Sequence, residues 1–281
     1  MRKKYIVNKR KFRRALVILN FVSIIVLVLS CGLIVRVVRA YQIDRLTYIA
    51  AASAAVAMTT ANPESPAPTE VPYYLSNEWK PPEVTPPITV NFSEIAAEST
   101  NVVAWLYCAG TPINYPVVSC NDNNYFLTHD YTGEKNTSGA IFSDERNQDN
   151  LYGDNIIIYG HHMKDNSMFG SLMQYQKQTY MDEHKTLYLI TPEGNFQITI
   201  FAAWFCDAEL NNYPVRFSSE NSKKQFYDKA VQASIANTYQ EYYADKRIIT
   251  LVTCSYSKYI ENPHFQVNGW LTEIGDPLPN D

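Results

Sequence analysis

Cysteine is sparse and unpatterned: five residues, an odd number, scattered over 281 positions. That excludes the disulfide framework on which small secreted folds depend. There is no Cys-x-x-Cys pair and no His/Cys spacing that suits zinc, so no metal and no cofactor is expected. Charge is thin, at 19% of residues, and no segment repeats, which excludes a repeat array. What is present is 46% hydrophobic and 13% aromatic with 21 tyrosines, a composition that folds rather than one that stays disordered or forms collagen. The net charge of −4 conceals an asymmetry, because residues 1–14 carry eight basic side chains and no acidic one. Removing those eight positive charges leaves −12 for residues 15–281. A surface that acidic repels phosphate backbones, so nucleic-acid binding is excluded as the main task.

The basic cluster precedes an apolar run. From Ala15 to Val35 there is no charge, and Asn20, Ser23 and Ser30 are the polar exceptions. About 20 such residues at roughly 1.5 Å each span a bilayer core. The positive flank predicts a cytoplasmic tail at 1–14, a membrane anchor at 15–35 held through lipid contact, and an extracellular remainder. A cleaved signal peptide is the rival reading, but its apolar core is shorter, about 7–15 residues. Cys31 after Leu29-Ser30 resembles a lipoprotein cleavage site, yet Leu33, Ile34 and Val35 continue the apolar run beyond it. Between Pro63 and Pro87 stand eight of the 15 prolines. Such a segment resists helix and sheet, so 36–90 is expected to be an extracellular Ala/Pro-rich stalk that lifts a domain at 91–281 from the membrane.

Within that domain short apolar strands alternate with turns. Strands are expected at Val102–Tyr107, Tyr115–Val118, Ala140–Ser143, Asn155–Tyr159, Leu187–Thr191, Phe196–Phe205, Ile248–Thr253 and Phe265–Leu271. Helices are expected at Met168–Tyr175 and Ser219–Thr238, the second capped by Ser219. Eight strands with few helices predict a mainly β fold, a sheet closed into a barrel. Chemistry gathers at two strand ends. Ile156-Ile157-Ile158-Tyr159-Gly160 runs into His161-His162, and Ile248-Ile249-Thr250-Leu251-Val252-Thr253 delivers Cys254. An imidazole beside a thiol makes the thiolate available at neutral pH. Read from residues alone, a buried inert cysteine and a solvated His-His loop remain open alternatives. Cys108 and Cys120 flank one early segment and stand as a candidate bridge.

Thr250-Leu251-Val252-Thr253-Cys254 resembles the Thr-Leu-x-Thr-Cys signature of the sortases. Further matches follow in order and are similar to class B members: Val103-Ala104-Trp105-Leu106, Ile113-Asn114-Tyr115-Pro116-Val117-Val118, Asp122 to Asp130, Ile141-Phe142 with Asp144 and Arg146, and Tyr159-Gly160-His161 with Ser167-Met168-Phe169-Gly170. The helix before the cysteine strand resembles the class B insertion. The resemblance spans about Asn91 to Leu271. It implies an eight-stranded barrel and a cysteine transpeptidase of the Gram-positive cell surface. Its partners would be secreted proteins carrying a C-terminal Leu-Pro-x-Thr-Gly or Asn-Pro-x-Thr sorting signal, and a peptidoglycan or pilin amine. It implies Cys254 as nucleophile and His161 as general acid and base. It aligns Asn123, Leu127 and Thr253 with substrate-binding positions; a turn cap for Asn123 and a core contact for Leu127 are the competing readings.

One position departs from the pattern. Where class B members resemble Asn-x-Arg-Phe-x-Val-x-Gly, this chain reads Asn262-Pro263-His264-Phe265-Gln266-Val267-Asn268-Gly269, and no arginine follows Arg247. A histidine lacks the guanidinium's permanent charge and forked donors. Three readings stay open: His264 substitutes, another arginine (Arg146, Arg216 or Arg247) reaches the site, or the chain binds sorting signals without processing them well.

Overall fold

The computed structural model describes residues 9–58, 84–119, 121–147, 151, 153–208, 213–254 and 262–275. The chain divides into two compact units, Met1–Leu46 and Thr47–Asp281. Helix α1 (Lys9–Ala55) contains one apolar stretch long enough to cross a membrane. Its last residues belong to the second unit, where Tyr48, Ala51 and Ala55 are buried in the main core. The second compact unit begins at Thr47, ahead of the 91–281 span expected for the domain.

Strands β1 (Val56–Met58) and β2 (Ile88–Val90) pair antiparallel, with Val56 opposite Val90 and Met58 opposite Ile88. Both strands lie inside the segment 36–90 that was expected to be a stalk. The interior of that segment, residues 59–83, and the basic tail at 1–8 lie outside the described residues, as does Cys120.

After helix α2 (Phe92–Glu98), capped by the Asn91 side chain, come β3 (Val102–Tyr107), β4 (Asn114–Val118), β5 (Ile141–Ser143) and β6 (Asn155–Gly160). A 3-10 helix (Phe169–Gln176) stands where a short α-helix was expected, and α3 (Gln178–Glu183) comes after it. Then come β7 (Thr186–Thr191), β8 (Gly194–Asp207), α4 (Glu220–Ala233), β9 (Arg247–Cys254) and β10 (Pro263–Ile274). Eight strands close into a barrel in the order β10-β8-β7-β3-β4-β5-β6-β9, as expected. The pairs β4–β5 and β6–β9 are parallel.

Alternation along the strands divides the apolar side chains between two cores. Ile249, Leu251, Phe265 and Val267 fill the barrel, while Ile248, Val252, Trp204 and Trp270 face a second cluster outside it. That outer cluster is roofed by α4, which contributes Tyr227 and Ala230, and by Tyr213. Ser219 caps α4 through a reciprocal bond with Ser222, and Lys223, Tyr227 and Ala230 form its buried stripe. The helix ends at Ala233, short of the expected Thr238. Ser234 turns out of it, accepting the Ala203 N–H at 2.9 Å, and Ile235 bonds Ala203 O, so the sheet edge captures the chain.

Candidate active site

The parallel register of β6 and β9 places Ile156 opposite Ile249 and Gly160 opposite Thr253. His161 and Cys254 each come one residue later, so two neighbouring strands release them at the same level. On the other side of β9, the antiparallel register pairs Cys254 with His264 on β10. With strands roughly 4.8 Å apart, three chemically active positions therefore stand in a row along one barrel rim. Cys254 is described by its backbone.

His161 is held from three sides. Its Nε2 lies 2.6 Å from Leu127 O, and since a carbonyl only accepts, that nitrogen carries the proton. Its own carbonyl accepts the Phe169 N–H at 3.0 Å. Its ring packs on Gly139, where a methyl group would come within 3.0 Å of Cδ2. The preceding Gly160 is needed for a close approach too: a Cβ there would lie 2.5 Å from Ile141 Cδ1 and 2.7 Å from Phe169 Cγ. The Nδ1 of a neutral His161 is thus the nitrogen left to take a proton.

His264 is half-buried, and its Nδ1 is 2.9 Å from the Tyr213 hydroxyl, with the two rings nearly parallel at 12°. That hydroxyl also meets Cys206 Sγ at 3.3 Å. Cys206 is the cross-strand neighbour of His264 on β8, so His264 lies between Cys206 and Cys254 in the sheet. Burial pushes the His264 pKa below its ordinary value, against the opposing pull of Asp207. The neutral imidazole is favoured. His162, next to His161, is likewise pushed down by burial.

Beside this row, Tyr159 donates to Asp144 Oδ2 at 2.8 Å, and Arg146 clasps the same carboxylate through Nε (2.7 Å) and Nη2 (2.8 Å). Burial alone would raise the Asp144 pKa, but the hydrogen bonds from Arg146 and Tyr159 outweigh it and hold the carboxyl below its usual range. The Tyr159 ring meets Tyr213 edge-on at 6.2 Å. Arg146 is therefore committed to Asp144. Arg247 opens β9, the far end from Cys254, where it donates to Leu151 O and covers the Phe196 ring. Arg216 is exposed and comes after Val215, whose carbonyl accepts the N–H of Asn155 at the start of β6, again the far end.

The candidate peptide-binding positions differ in their surroundings. Asn123 Oδ1 accepts the Glu145 N–H at 2.8 Å, tying its loop to the Asp144–Arg146 turn. Leu127 packs partly against the core, and its carbonyl is the group that holds His161. Thr253 is 1% exposed, opposite the core residue Phe265, and its hydroxyl has no hydrogen-bond partner among the described residues. Cys108 is a buried free thiol whose pKa burial raises, so the candidate bridge to Cys120 is not formed at that end. Gly139, Tyr159 and Tyr213 were not singled out as functional residues by sequence reasoning. A signal existed only for Tyr159, which sits two residues before His161; nothing distinguishes Tyr213 among 21 tyrosines.

Known proteins resemble this chain in sequence and in fold. The sequence model of the Sortase domain matches residues 109–264. Sortase B of Listeria monocytogenes is 33% identical over 171 residues, covering 61% of this chain and 70% of the relative. Among solved structures, the Staphylococcus aureus sortase B–substrate complex superposes with a TM-score of 0.61 at 29% identity, covering 66% of this chain and 85% of that one. Sortase B of B. anthracis in complex with AAEK1 superposes with a TM-score of 0.64 at 26% identity, covering 84% and 99%.

Proposed function

The chain belongs to the sortase family and is a cysteine transpeptidase of its class B, and on that premise we propose that it cleaves a C-terminal sorting signal of the Leu-Pro-x-Thr-Gly or Asn-Pro-x-Thr type after the threonine. The acyl chain passes to a cell-wall amine, which anchors the substrate protein to peptidoglycan. The observation that carries the assignment of roles is the strand register that sets His161 and His264 on either side of Cys254. The Cys254 thiol gives its proton to His161 Nδ1, its sulfur adds to the carbonyl carbon, and the π pair moves to oxygen. Collapse of this adduct expels the amine, which takes its proton from His161 Nδ1, and leaves a thioester. An incoming amine then gives a proton to His161, attacks the thioester and releases the thiolate. A thioester conserves the energy of the cleaved amide, so no nucleotide is consumed.

Helix α1, in this reading, anchors the protein in lipid with its basic end in the cytoplasm and the barrel outside. A second reading, a binder of sorting signals with little turnover, draws on the single departure of His264 from the family's arginine. Fluorogenic peptides of both signal types, incubated with the full-length chain in detergent with and without an amine acceptor, separate the two. The expected result is cleavage that an amine accelerates and that Cys254→Ala abolishes. Equal rates in wild type and Cys254→Ala would sink the enzyme reading, and saturable binding without cleavage would favour the second.

A further inference from the structure

Among the described residues, the remaining polar clusters point to no ligand. The cleft of about 350 Å³ between Asp154, Glu220, Lys223 and Arg247 is braced from within, its central lysine donating to the Ala244 and Lys246 carbonyls. Cys206 and Cys254 flank His264 but lie two strands apart, about 10 Å between Cα atoms, too far for a disulfide. The Tyr213–His264 pair is different, because it occupies the position that needs a donor and lacks the usual one.

Resting on the functional reading above, we propose that Tyr213 is a positioning residue that fixes His264 as an Nε2–H donor, so that this hydrogen bond takes over the stabilisation of the oxyanion formed at Cys254. The direction of the chain of hydrogen bonds is set by the acceptors. A thiol is a weak donor and a poor acceptor, whereas an imidazole nitrogen is a strong acceptor. The Tyr213 hydroxyl, 2.9 Å from Nδ1 and 3.3 Å from Cys206 Sγ, therefore donates to Nδ1 and receives the Cys206 S–H. With Nδ1 accepting, the neutral ring carries its proton on Nε2, at the opposite edge from Tyr213. The near-parallel packing of the two rings and the edge contact from Tyr159, itself tethered to Asp144, set the orientation.

No proton moves in this role: the N–H donates to the oxyanion and keeps its hydrogen through formation and collapse of the adduct. His264 therefore works uncharged. Among the described residues, the titratable groups around it are Tyr213, Cys206 and Asp207 on one side, Cys254 and His161 along the rim, and Tyr159 behind Tyr213. Burial outweighs the carboxylate of Asp207 and keeps the ring neutral at and above neutral pH. An arginine delivers charge and needs no tautomer, whereas a neutral histidine is useful in one tautomer alone, so a hydroxyl is required to select it.

Two measurements on the full-length chain test this. Long-range proton–nitrogen NMR of the histidine-labelled protein at pH 7.5, with His264 assigned by its loss in His264→Gln, is expected to show unprotonated Nδ1 and protonated Nε2. Tyr213→Phe is expected to mix the tautomers. An Nδ1–H tautomer or an imidazolium in the wild type overturns the inference. In peptide cleavage, Tyr213→Phe is expected to lower kcat about tenfold, with KM little changed. In the His264→Arg background the same substitution is expected to change kcat less than about twofold, because a guanidinium has no tautomer to select. Equal losses in both backgrounds would reduce Tyr213 to a packing residue. Should the wild type cleave no peptide, the functional reading falls while the NMR result still decides what Tyr213 does to His264.

Discussion

Replacing Gly139 with alanine probes how the turn after the 121–138 loop holds His161. Gly139 has φ +59°, a left-handed conformation that costs a residue with a Cβ about 1 kcal/mol. The new methyl would lie 2.5 Å from Phe126 O, and that atom cannot swing away, because it is backbone and already accepts the Ala140 N–H at 2.9 Å. Relieving such an overlap costs about 1–3 kcal/mol, so a total loss of about 2–4 kcal/mol is expected. A domain of this size has more than that to lose and stays folded. The same methyl meets His161 Cδ2 and Leu127 O, both at 3.0 Å, and so acts as a wedge beside the His161–Leu127 hydrogen bond. A displacement of the imidazole approaching 1 Å costs about 100-fold in a positioned proton transfer, and kcat is expected to fall about 10- to 100-fold.

Urea unfolding followed by tryptophan fluorescence reads the first effect, and fluorogenic cleavage under conditions where the variant is folded reads the second. Gly133→Ala is the control. Its φ of +90° imposes a similar backbone cost, but the added methyl meets only the Tyr125 hydroxyl at 3.4 Å and leaves His161 untouched. If Gly139→Ala retained wild-type kcat while losing the expected stability, the turn would be structural and the account of how His161 is held would be wrong.

Tyr48 donates to Gly139 O at 2.5 Å from within the core, packing edge-on against Tyr115. Tyr48→Phe strands a buried carbonyl and is expected to cost about 1–3 kcal/mol in urea unfolding. A change below about 0.5 kcal/mol would mean that water replaces the hydroxyl. His264 and His162 both have folded pKa values pushed down by burial, so the unfolded chain takes up their protons first as the solution is acidified. Their stabilising contribution is complete above about pH 6.5 and is lost as pH falls through the folded values. His264→Gln should therefore show a shallower loss of urea midpoint between pH 7.5 and 5.5 than wild type, and parallel slopes would refute the shift.

Much of the barrel was legible in advance because its strands are apolar runs bounded by turns. All eight expected strands are present, with ends displaced by a few residues at most. The errors arose where tertiary contacts outrank local pattern. The pairing of Val56–Met58 with Ile88–Val90 was missed, because nothing local tells that two such short segments meet. The end of α4 was misplaced because Ser234 leaves the helix for the edge of β8, a partner distant in the chain.

For the site, the sequence by itself determined the residue types and their places at the ends of two strands: Cys254 after an apolar run, His161 after a glycine, and His264 in place of an arginine. Alternation and motif spacing are local properties, so they can be read along one chain. The tertiary structure alone decided that β6, β9 and β10 are neighbours in a register that aligns the three, and that Arg146, Arg216 and Arg247 are engaged or placed elsewhere. It also decided that Tyr213, from the connection between β8 and α4, reaches the imidazole. Register and cross-strand contact depend on closure of the barrel, which sums many weak contacts over the whole domain.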